Sequence, residues 1–342
     1  MSGAFPDEAG ALDAWASVHV EGWRGPSAAK KFATGQSNPT YRIAAPSGVY
    51  VLRRKPPGRL LKSAHMIERE FRVLRALETT GFPAPRALAL CEDETVIGTP
   101  FYVMAYVEGR IFWDPALPEL AREERAPVFD AMNEGLARLH AIDVAAVGLA
   151  DYGKPGNYFA RQLARWSEQY RASETETVAD MDRLIAWLGD NVPADDGRSS
   201  LVHGDWRIDN MIFDARAPRL LAVLDWELST LGHPFADLAY QCMHWRLPNA
   251  GYRGLAGLDR SALGLPTEAE YVGAYCRRAG LEGVPHWTFL IAFSFFRYGA
   301  IAQGVYKRML DGNASNPERA REYGRGVSLM ARLAMEAIEA GD

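Results

Sequence analysis

One stretch of the chain carries most of the information about its fold and chemistry. It reads His203-Gly204-Asp205-Trp206-Arg207-Ile208-Asp209-Asn210. Apolar segments that we predict to be short strands flank it, Leu201 to His203 before it and Met211 to Phe213 after it. A further predicted strand, Leu220 to Leu224, leads into Asp225. Polar and acidic residues gathered at the ends of apolar strands indicate a chemical site.

These residue types suit phosphoryl transfer. That reaction needs little covalent chemistry from the protein, but it needs magnesium held against the phosphates and a carboxylate beside the attacking hydroxyl. Asp205 suits the carboxylate role, and Asn210 and Asp225 offer the hard oxygen ligands that magnesium prefers. The alternative is two ordinary strand-end turns rich in Asp and Asn. The length of the motif and its correctly placed partner argue against that alternative.

The motif resembles the catalytic and metal-binding motifs of the aminoglycoside phosphotransferase and choline kinase family, relatives of the protein kinases. The resemblance implies ATP and Mg²⁺ as cofactors, Asp205 as catalytic base, and Asn210 and Asp225 as metal ligands. It also implies that His203 braces the catalytic loop. Arg207 falls where protein kinases carry a lysine that contacts phosphate, which implies a role at the γ-phosphate.

A glycine-containing segment near the N-terminus, residues 35–41, resembles the family's nucleotide loop. It lacks the full GxGxxG pattern of protein kinases. Small residues there let backbone amides approach phosphate oxygens. We therefore expect Gly35, Ser37 and Asn38 to bind the nucleotide, although such a segment is also typical of a hairpin turn.

Arg53 occupies the strand position where kinases place a phosphate-binding lysine, which is a departure from the kinase pattern. Arginine can still clamp phosphate, and does so bidentately. Lys55 lies two residues later, on the same face of the strand, and is the alternative. Glu70, in the predicted helix His65 to Leu77, is expected to orient that cation, with Glu68 as its alternative.

The order of elements predicts an α+β fold of the two-lobed protein-kinase type. Residues 1–107 would form a small β-rich, nucleotide-binding lobe with a five-stranded sheet and one orienting helix. Residues 108–342 would form a larger helical lobe for catalysis and substrate. The segment Met104 to Gly109 resembles the family's hinge, where Ala105 C=O and Val107 N–H would meet the adenine edge.

A further resemblance suggests the acceptor. Residues 37–41, 50–58 and 63–65, together with Gly232-His233-Pro234 and Asp237-Leu238-Ala239, look like the kinase-like domain that some eukaryotes fuse to an acyl-CoA dehydrogenase. The resemblance implies a hydroxylated acyl substrate, such as a 4-hydroxy acid or 4-hydroxyacyl-CoA. We expect any acyl-CoA dehydrogenase partner to be a separate protein.

Two arginines give a weak independent indication of the same acceptor. Arg297 and Arg308 lie on one face of a predicted helix, and this suits a carboxylate- or phosphate-bearing substrate. An aminoglycoside, by contrast, would need a strongly acidic pocket. An ion pair between Arg297 and Asp237 is the structural alternative. His233 and Asp237 are further candidates for substrate contact, or they brace the metal loop.

Bulk properties narrow the remaining choices. A length of 342 residues suits two lobes, and a net charge of −5 argues against general affinity for nucleic acid or anionic membranes. The best membrane candidate, Trp287 to Ile301, is interrupted by Arg297. Cys91, Cys242 and Cys276 follow no CxxC spacing and indicate buried thiols in a reducing compartment. We expect a cytoplasmic protein without a secretory signal, either a monomer or a homodimer.

Three alternative functions remain. A metal-dependent phosphohydrolase could use a His/Asp cluster made of His203, Asp205, Asp225, His233, Asp237 and His244. That hypothesis gives no role to the nucleotide loop, Arg53 or Glu70. A pseudokinase would have no need for base and metal ligands together, and transfer of AMP would need ATP bound in reverse.

Overall fold

The computed structural model describes residues 9–32, 38–56, 66–312 and 317–341. Its contacts divide the chain into two compact units. The first comprises Met1–Arg110, Ile212–Ala215 and Leu221–Glu227, and the second comprises Ile111–Met211, Arg216–Leu220 and Leu228–Asp342. The β-rich character of the first unit and the helical character of the second confirm the predicted α+β class. The first unit includes two short segments from residues 212–227, which the sequence assigned to the second lobe.

The first unit is built around an antiparallel sheet. Its described elements are α1 (Ala9–His19), β1 (Ala28–Lys31), β2 (Thr40–Ala45), β3 (Gly48–Arg54), α2 (Ile67–Leu77), β4 (Ala87–Cys91), α3 (Glu94–Ile97) and β5 (Phe101–Ala105). The five strands are ordered β1-β2-β3-β5-β4, as the predicted five-stranded sheet requires. Strand β1 and helix α1 were not individually predicted.

The two-residue repeat of β3 gives the sheet two different faces. Leu52 pairs with Val103 of β5, and both belong to an apolar core that includes Leu12 and Ala16 of α1. Arg53, one residue later, points to the opposite face. Helix α2 packs on the sheet through β4 and β5, and buries Glu70 among its apolar residues. The pleat therefore separates the apolar core from Arg53.

The second unit is mostly helical. Its described helices are α4 (Arg122–His140), α5 (Tyr158–Ser173), α6 (Ala179–Asp190), α7 (Phe235–Cys242), α8 (Asn249–Tyr252), α9 (Arg260–Leu263), α10 (Glu268–Ala279), α11 (Trp287–Leu310) and α12 (Pro317–Ala340). Strands β6 (Ser200–Val202) and β9 (Thr230–Gly232) pair with each other. Between them in sequence lies a hairpin of β7 (Met211–Phe213) and β8 (Leu220–Val223), most of which belongs to the first unit.

Helix α11 is the apolar centre of the second unit. Among the described residues it is the one helix long and apolar enough to cross a membrane by length and composition. The sequence analysis had predicted no such segment. However, 72% of its most apolar window is buried inside the protein, against neighbours that include α5, α7 and α12. This burial is typical of a core helix.

The apolar contact between α1 and the sheet is testable. Leu12 is buried in that core, whereas Val18 on the same helix is 79% exposed. Leu12→Ala should lower the free energy of unfolding by about 2–5 kcal/mol, because it removes packed methyl groups and leaves a cavity. Val18→Ala should change it by less than about 0.5 kcal/mol. Urea unfolding followed by circular dichroism measures both; equal effects would contradict the assigned packing.

Candidate active site

The loop after β6 carries the predicted catalytic residues. Strand β6 pairs antiparallel with β9, with Val202 opposite Thr230, and the chain then turns sharply at Gly204. Gly204 has φ of +83°, and a Cβ there would lie 2.6 Å from the carbonyl oxygen of Leu228. Both the backbone angle and the space therefore require glycine. This turn places Asp205 immediately beyond the end of the strand.

Two buried side chains hold the backbone of this loop. The carboxylate of Asp237 accepts hydrogen bonds from the amides of His203 (2.6 Å) and Gly204 (2.8 Å). The guanidinium of Arg297 donates to the carbonyl oxygen of Gly204 at 2.5 Å. The amide of Asp205 donates to His203 Nδ1 at 3.2 Å. Four polar interactions thus fix the three residues that end at Asp205.

Asp237 and Arg297 were predicted as substrate residues or as an ion pair with each other. In the structure each bonds the loop backbone instead. Arg297 is only 4% exposed, and its guanidinium lies over the rings of Tyr240 (5.3 Å) and Trp166 (5.7 Å). A residue enclosed in this way suits positioning of the loop better than direct contact with an acceptor.

Sequence reasoning missed a second layer behind Asp237. His140, at the end of α4, lies with Nε2 3.4 Å from Asp237 Oδ2, and its Nδ1 is 2.8 Å from the hydroxyl of Tyr275 in α10. All three side chains are buried. Burial alone would raise the pKa of Asp237, but the hydrogen bond and charge of His140, the charge of His203 and the amide of His203 together lower it. Asp237 is therefore ionised where it holds the loop.

Asp205 is surrounded by groups that favour its charged form. Its Oδ1 lies 3.3 Å from Arg207 Nε, and its Oδ2 accepts a 2.8 Å hydrogen bond from Asn210 Nδ2. Burial alone would raise the pKa of Asp205, but the charges of Arg207 and His203 and hydrogen bonds from Tyr240 and Asn210 lower it. An ionised Asp205 is an acceptor for a hydroxyl proton.

The side-chain amide of Asn210 is oriented so that its oxygen could bind a hard cation. Its Nδ2 donates to both the carbonyl oxygen (2.9 Å) and the carboxylate (2.8 Å) of Asp205. Using both hydrogens there orients the amide so that its oxygen faces away from Asp205. Within the described ranges, no group of three or more His, Cys, Asp or Glu side chains could hold a metal. An amide oxygen paired with a carboxylate is the ligand type that Mg²⁺ uses.

The first unit contains a second charged cluster, centred on Arg53. Arg53 Nε lies 2.8 Å from Glu70, and its Nη2 lies 2.7 Å from Asp225 and 3.5 Å from Glu227. These carboxylates raise the pKa of Arg53 although burial alone would lower it. Lys55 instead pairs with Glu68 at 2.5 Å. The structure thus assigns each of the two predicted cations to a different predicted acid.

Glu70 is held by neutral donors as well. Asn38 Nδ2 donates to it at 2.8 Å and the Tyr102 hydroxyl at 3.1 Å. Asn38 is 3% exposed, so its side chain serves Glu70, while Gly35 and Ser37 of the same predicted nucleotide loop lie outside the described residues. Glu70 accepts these two hydrogen bonds and also pairs with Arg53 by charge, and together these contacts hold the two side chains in place.

Asp225 has an unusual backbone conformation, with φ of +65°. Aspartate tolerates the left-handed region, which is otherwise uncommon outside glycine. The residue after it, Trp226, donates to the carbonyl of Val223 (3.0 Å) and packs edge-on against Phe82 (5.9 Å). Glu227 was not predicted as a site residue. The available signal was a second carboxylate two positions after Asp225.

The remaining predicted residues lie as follows. Ala105 ends β5 opposite Tyr50 of β3, and Val107 follows two residues later, half-buried. His233 pairs with Asp196 (3.2 Å) near the start of α7, and Arg308 is exposed on α11. His244 Nδ1 bonds backbone carbonyls of Tyr240 and Gln241. Cys91, Cys242 and Cys276 are free and buried, as predicted.

The fold and these two clusters define a kinase-like phosphotransferase class, and comparison with known proteins agrees. The phosphotransferase enzyme family (APH) matches residues 28–288. Acyl-CoA dehydrogenase family member 10 from Mus musculus is 49% identical over 314 residues, covering 91% of this chain and 29% of the mouse protein. The chain thus spans less than a third of the length of that relative.

Solved structures show the same fold. A Ralstonia eutropha protein, assigned provisionally as an aminoglycoside phosphotransferase, has a TM-score of 0.87 and 47% identity, with 97% of this chain and 98% of that chain covered. Spectinomycin phosphotransferase APH(9)-Ia, in complex with ADP and spectinomycin, has a TM-score of 0.63 at 12% identity, covering 98% and 99% of the two chains. This chain belongs to the phosphotransferase enzyme family. The predicted resemblance to acyl-CoA dehydrogenase-linked kinase-like domains is confirmed.

The Asp237 interaction predicts a pH dependence. The pKa of Asp237 is lower in the folded protein than in the unfolded chain, where it is about 3.9. The ionised carboxylate therefore stabilises the fold fully at pH values above the unfolded pKa, and this stabilisation is lost as the pH falls through the folded pKa. Asp237→Asn should lower the free energy of unfolding at pH 7 by about 1–3 kcal/mol, since one loop amide loses its acceptor. Between pH 5 and pH 3, the free energy of unfolding should also decrease less in this variant than in the wild type. Urea midpoints across this range measure both effects.

The control for this experiment is Asp180→Asn, an exposed carboxylate that pairs with Arg183. This variant should change the urea midpoint little at any pH. If Asp237→Asn showed the same acid dependence as the wild type, the ionised state of Asp237 would be wrong.

The Arg53 cluster predicts a sharp contrast between two cations. Arg53→Met leaves Glu70 buried without its counter-charge and should lower the free energy of unfolding by about 3–5 kcal/mol. Adding Glu70→Gln should recover part of this loss, because glutamine is uncharged and its one amide oxygen still accepts from either Asn38 or Tyr102. Lys55→Met, whose partner Glu68 is more exposed, should cost less than about 1 kcal/mol. Equal losses for both methionine variants, measured by urea unfolding, would contradict the cluster.

Proposed function

We propose that this chain transfers the γ-phosphoryl group of ATP to a hydroxyl of a small molecule, with Mg²⁺. The observation that carries the proposal is Asp205, which is held ionised beside Asn210 on a loop that Asp237 and Arg297 fix. Family membership supports phosphotransfer, and the neighbour in complex with ADP supports a nucleotide as donor.

Asp205 would orient the acceptor hydroxyl and accept its proton as the new P–O bond forms. The low pKa of Asp205 makes it a weak base, so the proton would move late, when the attacking oxygen has become acidic. Arg207, 3.3 Å from Asp205, would keep the carboxylate in place. Its guanidinium is also available to a phosphate oxygen, as the sequence motif suggested.

Asn210 and Asp225 would hold the magnesium ion. The metal would neutralise charge that builds on the phosphates during transfer. Arg53, fixed by Glu70, would contact the nucleotide phosphates, with Gly35 and Ser37 of the nucleotide loop and the backbone of Ala105 and Val107 as further nucleotide contacts. The 2.7 Å contact between Arg53 and Asp225 places the proposed phosphate ligand beside the proposed metal ligand.

The acceptor we propose is a 4-hydroxy acid or a 4-hydroxyacyl-CoA. Support comes from similarity to acyl-CoA dehydrogenase family member 10, whose name indicates acyl-CoA chemistry. An acyl-CoA dehydrogenase is the partner that this acceptor suggests. The phosphohydrolase alternative loses support, because His233, Asp237 and His244 each bond other groups within the part of the second unit described here.

Three variants test this proposal by ADP release and by Mg-ATP binding. Asp205→Ala should lower kcat by about 10²–10⁴-fold and leave the Kd for Mg-ATP within about twofold, because Asp205 serves the acceptor. Asp225→Ala should instead raise that Kd by about tenfold or more, since it removes a magnesium ligand. Asp130→Ala, a control at an exposed carboxylate, should change neither.

The acceptor panel would contain 4-hydroxy acids, their CoA thioesters, choline, homoserine and kanamycin. Normal turnover by Asp205→Ala would overturn the assigned base. Turnover with kanamycin alone would retain phosphotransfer but reject the acyl acceptor.

A further inference from the structure

A narrow pocket in the second unit includes Arg207, the residue that contacts Asp205, in its wall. Its lining also includes Trp113, Asp209, Gln241, His244 and Arg253. None of Trp113, Gln241 and Arg253 has a part in the phosphotransfer steps described above. The pocket therefore lies one side chain away from the proposed base and has a composition of its own.

The charges in this pocket favour an anion at its exposed end. Asp209 lies between two arginines, 3.1 Å from Arg207 Nη2 and 3.5 Å from Arg253 Nη1. Arg207 is thus the closer partner of Asp209. The side chain of Arg253 is 44% exposed, and its one longer contact leaves other guanidinium N–H groups for a ligand. A guanidinium presents paired donors that match a carboxylate or phosphate.

Trp113 and Arg253 form a platform at this pocket. The guanidinium of Arg253 lies 5.5 Å from the centre of the Trp113 ring, and Trp113 is 40% exposed. Asn249 joins the two segments by donating to Asp114 Oδ1 (3.1 Å) and to the carbonyl of Gly254 (3.1 Å). An indole face beside a cation suits an apolar chain that ends in an anionic group.

Gln241 supplies an independent indication of a ligand. Its side chain is 2% exposed, and its Oε1 has no hydrogen-bond partner among the described residues. A buried amide oxygen without a donor costs free energy that a bound hydroxyl or N–H would recover. Because Gln241 lines the same pocket as Arg253, one ligand could satisfy both.

We propose that this pocket binds the acceptor through its anionic group. Arg253 binds the carboxylate or phosphate, Trp113 packs against the adjoining apolar chain, and Gln241 accepts from a hydroxyl or N–H of the same molecule. The inference rests on the proposed phosphotransfer function. It moves anion binding from Arg297 and Arg308, where the sequence placed it, to an arginine that no sequence pattern indicated.

Calorimetric titration tests this subsite without turnover. The probes are 4-hydroxyhexanoate and its uncharged amide, titrated into the wild type, Arg253→Gln, Arg253→Lys and the exposed-arginine control Arg332→Gln. The wild type should bind the acid about tenfold or more tightly than the amide, as expected for a charge-assisted contact. Arg253→Gln should bind both equally, Arg253→Lys should keep part of the preference, and Arg332→Gln should keep all of it.

Several results would overturn the subsite: equal binding of acid and amide to the wild type, no binding of either, or a preference that persists in Arg253→Gln. Loss of the preference in Arg308→Gln instead would move the anion site to α11. Failure of the proposed function is separately visible. Arg253-dependent binding with no phosphorylated product from any acceptor of the panel would leave the subsite standing and reject phosphotransfer.

Discussion

The buried carboxylate of Asp237 is the interaction on which the candidate active site depends. This one side chain accepts hydrogen bonds from the two backbone amides that precede Asp205, those of His203 and Gly204. The lowered pKa of Asp237 favours the ionised carboxylate, which is a strong acceptor. An unpaired buried charge would be costly. His140, Tyr275 and the loop amides make this charge tolerable, and Arg297 secures the neighbouring carbonyl. The position of Asp205 thus follows from contacts among five segments of the chain, the loop itself and helices α4, α7, α10 and α11.

The first unit solves a similar problem with opposite charge. The pleat of β3 directs Leu52 into the apolar core and Arg53 to the face that carries α2, where Glu70 is buried among apolar residues. A guanidinium enclosed there needs several carboxylates, and Glu70, Asp225 and Glu227 provide them. In each unit, a polar group essential to the proposed chemistry is held by buried partners from distant parts of the sequence.

The motif at 203–210 and the alternation around Arg53 made the fold class predictable and pointed to the candidate site residues, because local spacing encodes them. Other features had no local signal. Asp237 and His140 are 97 residues apart and Gly204 and Arg297 are 93 apart, so only the folded chain reveals these contacts. Helix α1 escaped prediction because it buries only Leu12 and Ala16, too few apolar positions to define a helical face.

Arg253 shows a further limit of sequence reasoning. Helical spacing made Arg297 and Arg308 candidates for substrate binding, but the guanidinium of Arg297 donates to the carbonyl oxygen of Gly204. Arg253 follows a four-residue helix and has φ of +55°, so no periodic pattern includes it. Burial sets Arg297 apart from a ligand, and helical spacing alone could not indicate that.

Phosphorus NMR of the products distinguishes phosphoryl transfer to the acceptor from hydrolysis and from adenylyl transfer. The wild type would be incubated with Mg-ATP and a 4-hydroxy acid, and every phosphorus species would be assigned. Transfer of the γ-phosphoryl group to the acceptor would give ADP and a phosphomonoester of the acceptor in equal amounts. AMP or pyrophosphate would show adenylyl transfer, and inorganic phosphate without a phosphomonoester would show hydrolysis; either result would contradict the account.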